Sequence, residues 1–180
     1  MKKSILGLAV SALFVVGAAQ AGTNANDVSA TLNVTGTVTN NDMGCAVNLA
    51  QSSVKLTGDV QTLPAQGADA LPTQLVQLSV TGNEFCTDLA KNNKMAYKLL
   101  GTADNADGNA IANSDSGEGA ASGVGIALYN VSGTQLDVNS GTLPVTDGIT
   151  SLGLGLVKLT GQETVPGTVK GTLTIQIERL

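Results

Sequence analysis

The sequence predicts an all-β domain built as a sandwich of two sheets. Apolar and polar residues alternate strictly in several segments, such as the one in which Leu173, Ile175 and Ile177 are separated by Thr174 and Gln176. A period of two places one face of a strand in the core and the other in water. About seven strands of ordinary length, with Gly, Asn, Asp and Ser concentrated between them, favour a sandwich. The predicted strands are 28–38, 54–57, 74–81, 95–102, 123–130, 152–160 and 169–178.

Almost none of the chain is predicted to be helical. The longest segment without a predicted strand, 103–122, is rich in Gly, Asn, Asp, Ser and Ala. This composition predicts a mobile surface loop.

The first 21 residues have the three regions of a secretory signal peptide in the usual order. Lys2 and Lys3 precede an apolar run at residues 5–17, and the segment ends in small residues at Ala19 and Ala21. The alternatives are an uncleaved membrane anchor or a buried helix, but the run is short for a membrane span. We therefore expect cleavage after Ala21 and export of residues 22–180.

The composition of the exported part limits its partners and chemistry. Seven basic residues against fourteen acidic ones form no basic patch, so a nucleic acid partner is not expected. The length suits one domain with a single core. Both cysteines, Cys45 and Cys86, lie in this part, and an oxidising compartment favours a disulfide between them over two buried free thiols.

No group of residues predicts catalysis, a metal site or a cofactor. The chain has no histidine, which excludes Ser–His–Asp and Cys–His arrangements and removes the usual zinc ligand. The acidic residues are scattered through predicted turns. Residues 104–109 superficially resemble a calcium loop, but Ala106 and Asp115 stand where that loop needs an oxygen ligand and a glutamate. A secreted enzyme is thus the least favoured class of protein.

The segment after residue 21 is the most informative one. Residues 22–27 are polar, and Val28, Ala30, Leu32 and Val34 then alternate with polar residues. Two interpretations are open on spacing alone. The segment is either an ordinary first strand paired within its own sheet, or an arm that adds a strand to a neighbouring molecule.

A resemblance favours the second interpretation. The features that carry it are the alternating arm followed by Gly36, Cys45 after the first strand, Cys86 after an alternating strand, and an alternating C-terminal segment at 169–180. In order and spacing, the chain resembles pilin subunits of chaperone–usher fimbriae of the type 1-like class.

The resemblance implies an incomplete immunoglobulin-like sandwich that is completed by donor-strand exchange. It divides the chain into a signal peptide (1–21), a donor-strand arm (22–35) and a pilin domain (36–180). Val28, Ala30, Leu32 and Val34 would enter a neighbour's groove, and Ala30 stands where the family favours a very small residue. Leu173, Ile175 and Ile177 of the C-terminal strand would line the acceptor groove.

The implied partners are identical or related pilin subunits, a periplasmic chaperone and an outer-membrane usher, and the implied location is a cell-surface fimbria. The expected role is that of a structural shaft subunit without cofactors. The alternative is a minor tip subunit or a single-domain adhesin that uses segment 103–122. The chain departs from the family at its penultimate position, where many members carry an aromatic residue and this chain carries Arg179.

Overall fold

The structure is a computed structural model that describes residues 44–180 and the backbone of residues 27–35. The predicted signal peptide, the polar residues before Asp27, and Gly36 lie outside the described residues. Within the described part, no helix is long and apolar enough to cross a membrane.

The described residues form eleven strands and one helix, which confirms the predicted all-β class. Every long predicted strand is present, and the unpredicted strands β2, β6, β8 and β9 have at most four residues. The elements are β1 Asp27–Thr35, β2 Ala46–Leu49, β3 Ser53–Asp59, β4 Gln74–Thr81, α1 Glu84–Lys91, β5 Met95–Gly101, β6 Ile111–Ala112, β7 Val124–Tyr129, β8 Gln135–Leu136, β9 Thr142–Pro144, β10 Ile149–Lys158 and β11 Thr168–Arg179.

The strands are arranged in two sheets that enclose one main core. The first sheet has the order β3-β1-β11-β5-β9, and the second has the order β2-β4-β10-β7-β6, with β8 paired to β7. Buried and exposed residues alternate along β3 and along most of β11, as the period of two predicts, whereas β7 is buried on both faces. The largest fully buried side chains are Tyr97, Tyr129, Leu56, Leu78, Met95, Leu99, Ile111, Ile126, Leu128, Leu152 and Leu154.

Helix α1, within residues 44–180, was not predicted by the alternation of residues. Helix α1 begins after Asn83, whose side chain caps it by accepting a hydrogen bond from the backbone N–H of Cys86. Glu84 in the first turn and Lys91 in the last turn complement the helix dipole.

Cys45 and Cys86 form a disulfide, with their Cα atoms 5.6 Å apart, which confirms the predicted pairing. The bond ties the residue before β2 to the first turns of α1.

Segment 103–122 is not the simple surface loop that its composition suggested. It contains β6, and Ala110, Ile111 and Ala121 are buried in it. Asp104 is also buried, with 7% of its surface exposed, and its carboxylate accepts hydrogen bonds from backbone N–H groups of the same segment. The polar residues of this segment therefore order the backbone instead of leaving it mobile.

Candidate functional site: a strand slot between β3 and β11

The first sheet contains a slot for one strand between β3 and β11, and β1 of the same chain fills it. We use the name strand slot for this position and its two walls, β3 and β11. Strand β1 pairs antiparallel with β3, from Asp27 opposite Asp59 to Asn33 opposite Ser53. On its other edge it pairs parallel with β11, from Ser29 opposite Thr168 to Thr35 opposite Thr174. The first and last β-rich segments of the chain are thus neighbours in one sheet.

Both walls of the slot present an apolar face to the core and a polar face to water. In β3, Val54 and Leu56 are buried while the residues between and beside them are exposed. In β11, Val169, Gly171 and Leu173 are buried, and the intervening residues are exposed. Without a strand between them, the two walls would leave unpaired backbone groups and uncovered core residues along the same line.

The register brings the apolar positions of β1 level with the buried positions of the walls. Ala30 lies opposite Leu56 on one side and Val169 on the other. The same register continues along the strand: Val28 is opposite Gly58, Leu32 is opposite Val54 and Gly171, and Val34 is opposite Leu173. All four predicted donor-strand residues therefore occupy core-side register positions of the slot.

Small and large residues alternate across the slot. The smallest arm position, Ala30, is flanked by two large wall residues, whereas Leu32 is opposite a glycine, Gly171. A Cβ atom at Gly171 would lie 2.7 Å from Cδ1 of Ile126, so a side chain at this position would require the Ile126 side chain to move. If β1 were shifted by two residues, Leu32 would stand opposite Leu56 and Val169 in place of Ala30. The observed register therefore avoids placing three large residues side by side.

The three residues predicted to line the groove lie on the same face of β11 but not at the same distance from β1. Leu173 is fully buried and is opposite Val34. Ile175 is buried and Ile177 packs against the core, yet both lie beyond Thr174, the last β11 residue that pairs with β1 in the described part. On their other side, both pair with β5.

The remaining wall residues were not predicted as site residues. They are Val54, Leu56, Gly58, Val169 and Gly171. Their alternation with polar residues was visible in the sequence, but only the pairing of β1 with β3 shows that β3 is a wall.

Arg179, at the position where the chain departs from the related family, packs on an aromatic ring of α1. Its guanidinium carbon lies 5.2 Å from the centre of the Phe85 ring. This is a distance at which a cation and an aromatic face attract each other. The end of β11 is therefore held against the helix that carries Cys86.

The second candidate site, segment 103–122, is organised around Asp104. Burial alone would raise the pKa of this carboxyl, but hydrogen bonds from the Ala110 N–H, the Gln66 amide and two further backbone N–H groups lower it. Gln66 also donates to Asn109 and accepts from the Thr160 N–H, so this network links distant parts of the chain. All of these contacts are internal to the domain and leave no polar group of Asp104 directed at a ligand.

The described residues offer little for catalysis or for stacking a sugar. In residues 44–180, no group of three or more His, Cys, Asp or Glu side chains could hold a metal ion. Tyr97 and Tyr129 are buried, and Phe85 is the exposed aromatic residue of that range. The strand slot is therefore the feature with the strongest functional signature.

Comparisons with known proteins agree with this emphasis on assembly. A family model described as fimbrial protein matches residues 32–178. The match covers both walls of the slot, the disulfide and part of the strand that fills the slot. A search of curated proteins gives no significant match.

Proposed function

Because the chain belongs to the fimbrial protein family, which consists of structural subunits and not of enzymes, we propose that it is a shaft subunit that polymerises through the strand slot. In this proposal, residues 28–34 of one copy enter the slot of the next copy. The observation that supports it is that a single strand, β1, pairs with the backbone of β3 on one edge and with the backbone of β11 on the other. A strand donated by a neighbour can supply the same two ladders.

The proposed junction is strong for its size. Four apolar arm positions at core-side register would contribute on the order of 5–8 kcal/mol before the loss of entropy. Each of the two backbone ladders adds about 1 kcal/mol for every hydrogen bond that replaces bonds to water. A fibre made of such junctions would resist dissociation at every step along its length.

The proposal includes an export route. Residues 1–21 act as a cleaved signal peptide, and the subunit passes through the periplasm to the cell surface. Before a neighbour is available, an open slot would expose core residues and unpaired strand edges, which invites aggregation. A periplasmic chaperone that covers the slot and an outer-membrane usher that exchanges it for the next subunit would meet this need.

The test compares two neighbouring arm positions whose register differs. Ala30→Trp would force a large ring between Leu56 and Val169 and should stop assembly, because overpacking a tight position is costly. Thr31→Trp is the matched control, because Thr31 is opposite Lys55, which is exposed on β3. Fibres are counted by electron microscopy in cells that express each variant as the sole subunit.

Deletion of residues 22–34 should also abolish fibres. The arm-deleted subunit would still accept an arm but could not donate one. Fibres of normal length built from it alone would rule out the proposed junction. Fibres of equal number from Ala30→Trp and Thr31→Trp would show that this register position does not matter in the assembled state.

Copy number separates a shaft subunit from the alternative role of a minor tip subunit or adhesin. A shaft subunit should dominate the mass of purified fibres, whereas a tip subunit should be present at about one copy per fibre. Quantitative mass spectrometry of sheared fibres distinguishes the two outcomes.

A further inference from the structure

Most of the exposed large apolar side chains of the described domain lie on one face. In residues 44–180, seven large apolar side chains are exposed, and four of them lie at one end of the outer face of the second sheet. We use the name apolar patch for these four, which are Leu71, Leu75, Val131 and Ile149. Single exposed apolar residues are common on protein surfaces, but a cluster of them marks an interaction site.

The ladders of the second sheet place Leu75 and Ile149 on the same face. Leu75 is opposite Gly153 in the pairing of β4 with β10. Ile149 lies an even number of residues from Gly153 along β10, and therefore on the same side of that strand. Leu152 and Leu154, on either side of Gly153, are buried in the main core. Leu75 and Ile149 therefore point away from the core.

Two loops bring Leu71 and Val131 to this face. The backbone N–H of Ala70 donates to the carbonyl oxygen of Gly133 at 2.9 Å, which places Leu71 beside the turn that contains Val131. The next residue, Pro72, packs against β10. Leu71 projects into solvent, with 87% of its surface exposed.

The apolar patch also contains a hollow. Val131 and Ile149 line a hollow of about 320 Å³ together with Leu143 and Pro144. A cavity of about 150 Å³ holds a benzene molecule, so this hollow has room for a leucine side chain. None of the nine residues that line it is charged. One face thus presents both a projecting apolar side chain, that of Leu71, and an apolar hollow that could receive one.

The charge of the chain favours a second copy as the partner of this face. The formal net charge is −5, so two copies repel each other over most of their surface. The apolar patch itself is uncharged, and the acids closest to it in sequence, Asp69 and Asp147, each stand two residues before a member of the patch. Two copies therefore meet the least repulsion here, whereas a charged partner would find no opposite charge in the patch.

The shape of the face suits a two-fold contact. In such a contact the same surface of both copies is used, so each surface must be complementary to itself. The side chain of Leu71 in one copy can enter the hollow beside Ile149 in the other, and the reverse contact forms at the same time.

The area of the apolar patch suits a contact that acts only when it is repeated. Four side chains of this size expose roughly 300–400 Å² of apolar surface. Two patches would thus bury roughly 600–800 Å², which is less than the ~1,200 Å² of the smallest stable interfaces. Two free subunits therefore stay apart in dilute solution. Along two fibres, many such contacts act together.

We propose that fibres of this chain associate side by side, with the apolar patch of a subunit in one fibre packed against the same patch of a subunit in another fibre. The inference rests on the proposed function, because a fibre is what repeats the patch at regular intervals. The strand slot lies in the first sheet and the apolar patch lies on the outer face of the second sheet, so the two contacts use different surfaces.

Replacing Val131 with serine tests the association. Val131→Ser removes apolar surface at an exposed position and should leave stability and fibre number unchanged. The matched control is Val165→Ser, the same change at an exposed residue outside the patch. In electron micrographs of cells that express each variant as the sole subunit, bundles should be roughly fivefold rarer with Val131→Ser than with the wild type or the control. Wild-type fibres that remain single, or equal bundling in all three, would overturn the inference.

Mixing two kinds of fibre shows which residues meet. Fibres of Leu71→Cys and fibres of Ile149→Cys are prepared separately and mixed under mild oxidation. Bonds between residues 71 and 149 of different chains should form in roughly tenfold higher yield than bonds in a mixture of Leu71→Cys with Val165→Cys fibres. Peptide mapping by mass spectrometry identifies the linked residues. Equal yields in the two mixtures, or a bond that forms only when both variants are assembled into one fibre, would contradict contact between fibres.

Fibre number separates failure of this inference from failure of the proposed function. Normal fibres that remain single disprove the patch contact and leave the strand-slot junction intact. If no variant makes fibres, the junction is wrong, and the patch is tested on the soluble subunit. Between about 0.05 and 2 mM protein, methyl NMR signals of Leu71, Val131 and Ile149 should shift while that of Val165 stays constant, as expected for a millimolar dissociation constant. The absence of these shifts would refute self-association through the patch.

Discussion

Replacing Tyr97 with phenylalanine is expected to remove much of the alkaline sensitivity of the fold. Tyr97 is fully buried, and within the described part its hydroxyl has no hydrogen-bond partner. Burial raises the pKa of Tyr97 to about 12, against about 10 for the same group in the unfolded chain. The folded state therefore holds the neutral phenol in a pH range where the unfolded chain ionises.

The sign and size of the effect follow from this difference. The contribution of Tyr97 to the free energy of unfolding is constant below pH 10. It decreases by about 1.4 kcal/mol per pH unit between pH 10 and 12, and it does not decrease further above the folded pKa. The total loss attributable to Tyr97 is about 3 kcal/mol. At pH 7 the substitution should gain about 1 kcal/mol, because it removes a buried hydroxyl without a partner.

Urea unfolding at pH 7, 9, 10 and 11 measures the free energy of unfolding for the wild type and for Tyr97→Phe. Between pH 7 and pH 11, the free energy of unfolding should decrease by about 1.4 kcal/mol less in the variant than in the wild type. Tyr129→Phe is the matched comparison, since burial also raises the pKa of Tyr129 and the charge of Asp69 adds to the shift. Equal alkaline losses in wild type and Tyr97→Phe would refute the reasoning. A loss of more than about 1 kcal/mol at pH 7 would show that the hydroxyl has a partner.

Three other substitutions test the core, the ordered loop and the disulfide. Ile175→Asp buries an unpaired charge at a cost of several kcal/mol, which should abolish both the export of folded protein and the formation of fibres. The control Gln176→Asp lies on the exposed face and should leave both unchanged. A normal fibre yield from Ile175→Asp would mean that this face of β11 is exposed to solvent. Asp104→Ala should lower the free energy of unfolding at pH 7 by about 3 kcal/mol, because it leaves buried N–H groups unpaired. Because the pKa of Asp104 is lowered in the folded state, the difference between wild type and variant should shrink as pH falls below about 4. A difference that is constant from pH 7 to pH 3 would contradict the role of the charge. Replacing both Cys45 and Cys86 with alanine opens a loop with a sequence separation of 41 and should lower the free energy of unfolding by about 4 kcal/mol. A decrease of less than about 1 kcal/mol would show that the disulfide does not constrain the unfolded chain.

The long strands were predictable because most of them alternate apolar and polar or small residues over enough positions to define two faces. Strand β11, with twelve residues, and β10, with ten, are examples. Strands of two to four residues, such as β2 and β6, carry too little alternation to separate them from turns. Their existence depends on pairing with β4 and β7, which is a tertiary effect.

Helix α1 was missed although its boundary signals are present in the sequence. Asn83 followed by Glu84 is typical of a helix start, and Lys91 is typical of a last turn. With eight residues, the helix is too short for a convincing period of 3.6. The capping residues were therefore more informative here than the hydrophobic pattern.

Segment 103–122 shows why composition alone misjudged a polar region. Aspartate, asparagine and glycine are frequent both in mobile loops and in loops whose side chains bond their own backbone. Asp104 does the latter, since it accepts from the N–H groups of Ala106, Gly108 and Ala110. Whether a polar side chain turns inward depends on the surrounding packing, which a single sequence does not specify.

The candidate site was predictable only in part. The alternation of Val28, Ala30, Leu32 and Val34 predicted that this segment is a strand, and the alternation at residues 169–178 predicted strand β11. The other wall, β3, depends on a contact between distant segments that local pattern does not reveal. The register position of Ala30 opposite Leu56 depends in turn on that contact.

The directions of the two walls determine which ladders a strand in the slot can make. Strand β1 is antiparallel to β3 and parallel to β11, so the walls themselves run in opposite directions. Any strand that enters the slot, in either direction, therefore makes one parallel and one antiparallel ladder. The number and type of ladders thus do not distinguish the chain's own arm from a neighbour's arm. In the proposed junction, the register is therefore set by the sizes of the residues that lie opposite each other, such as Ala30 opposite Leu56 and Leu32 opposite Gly171.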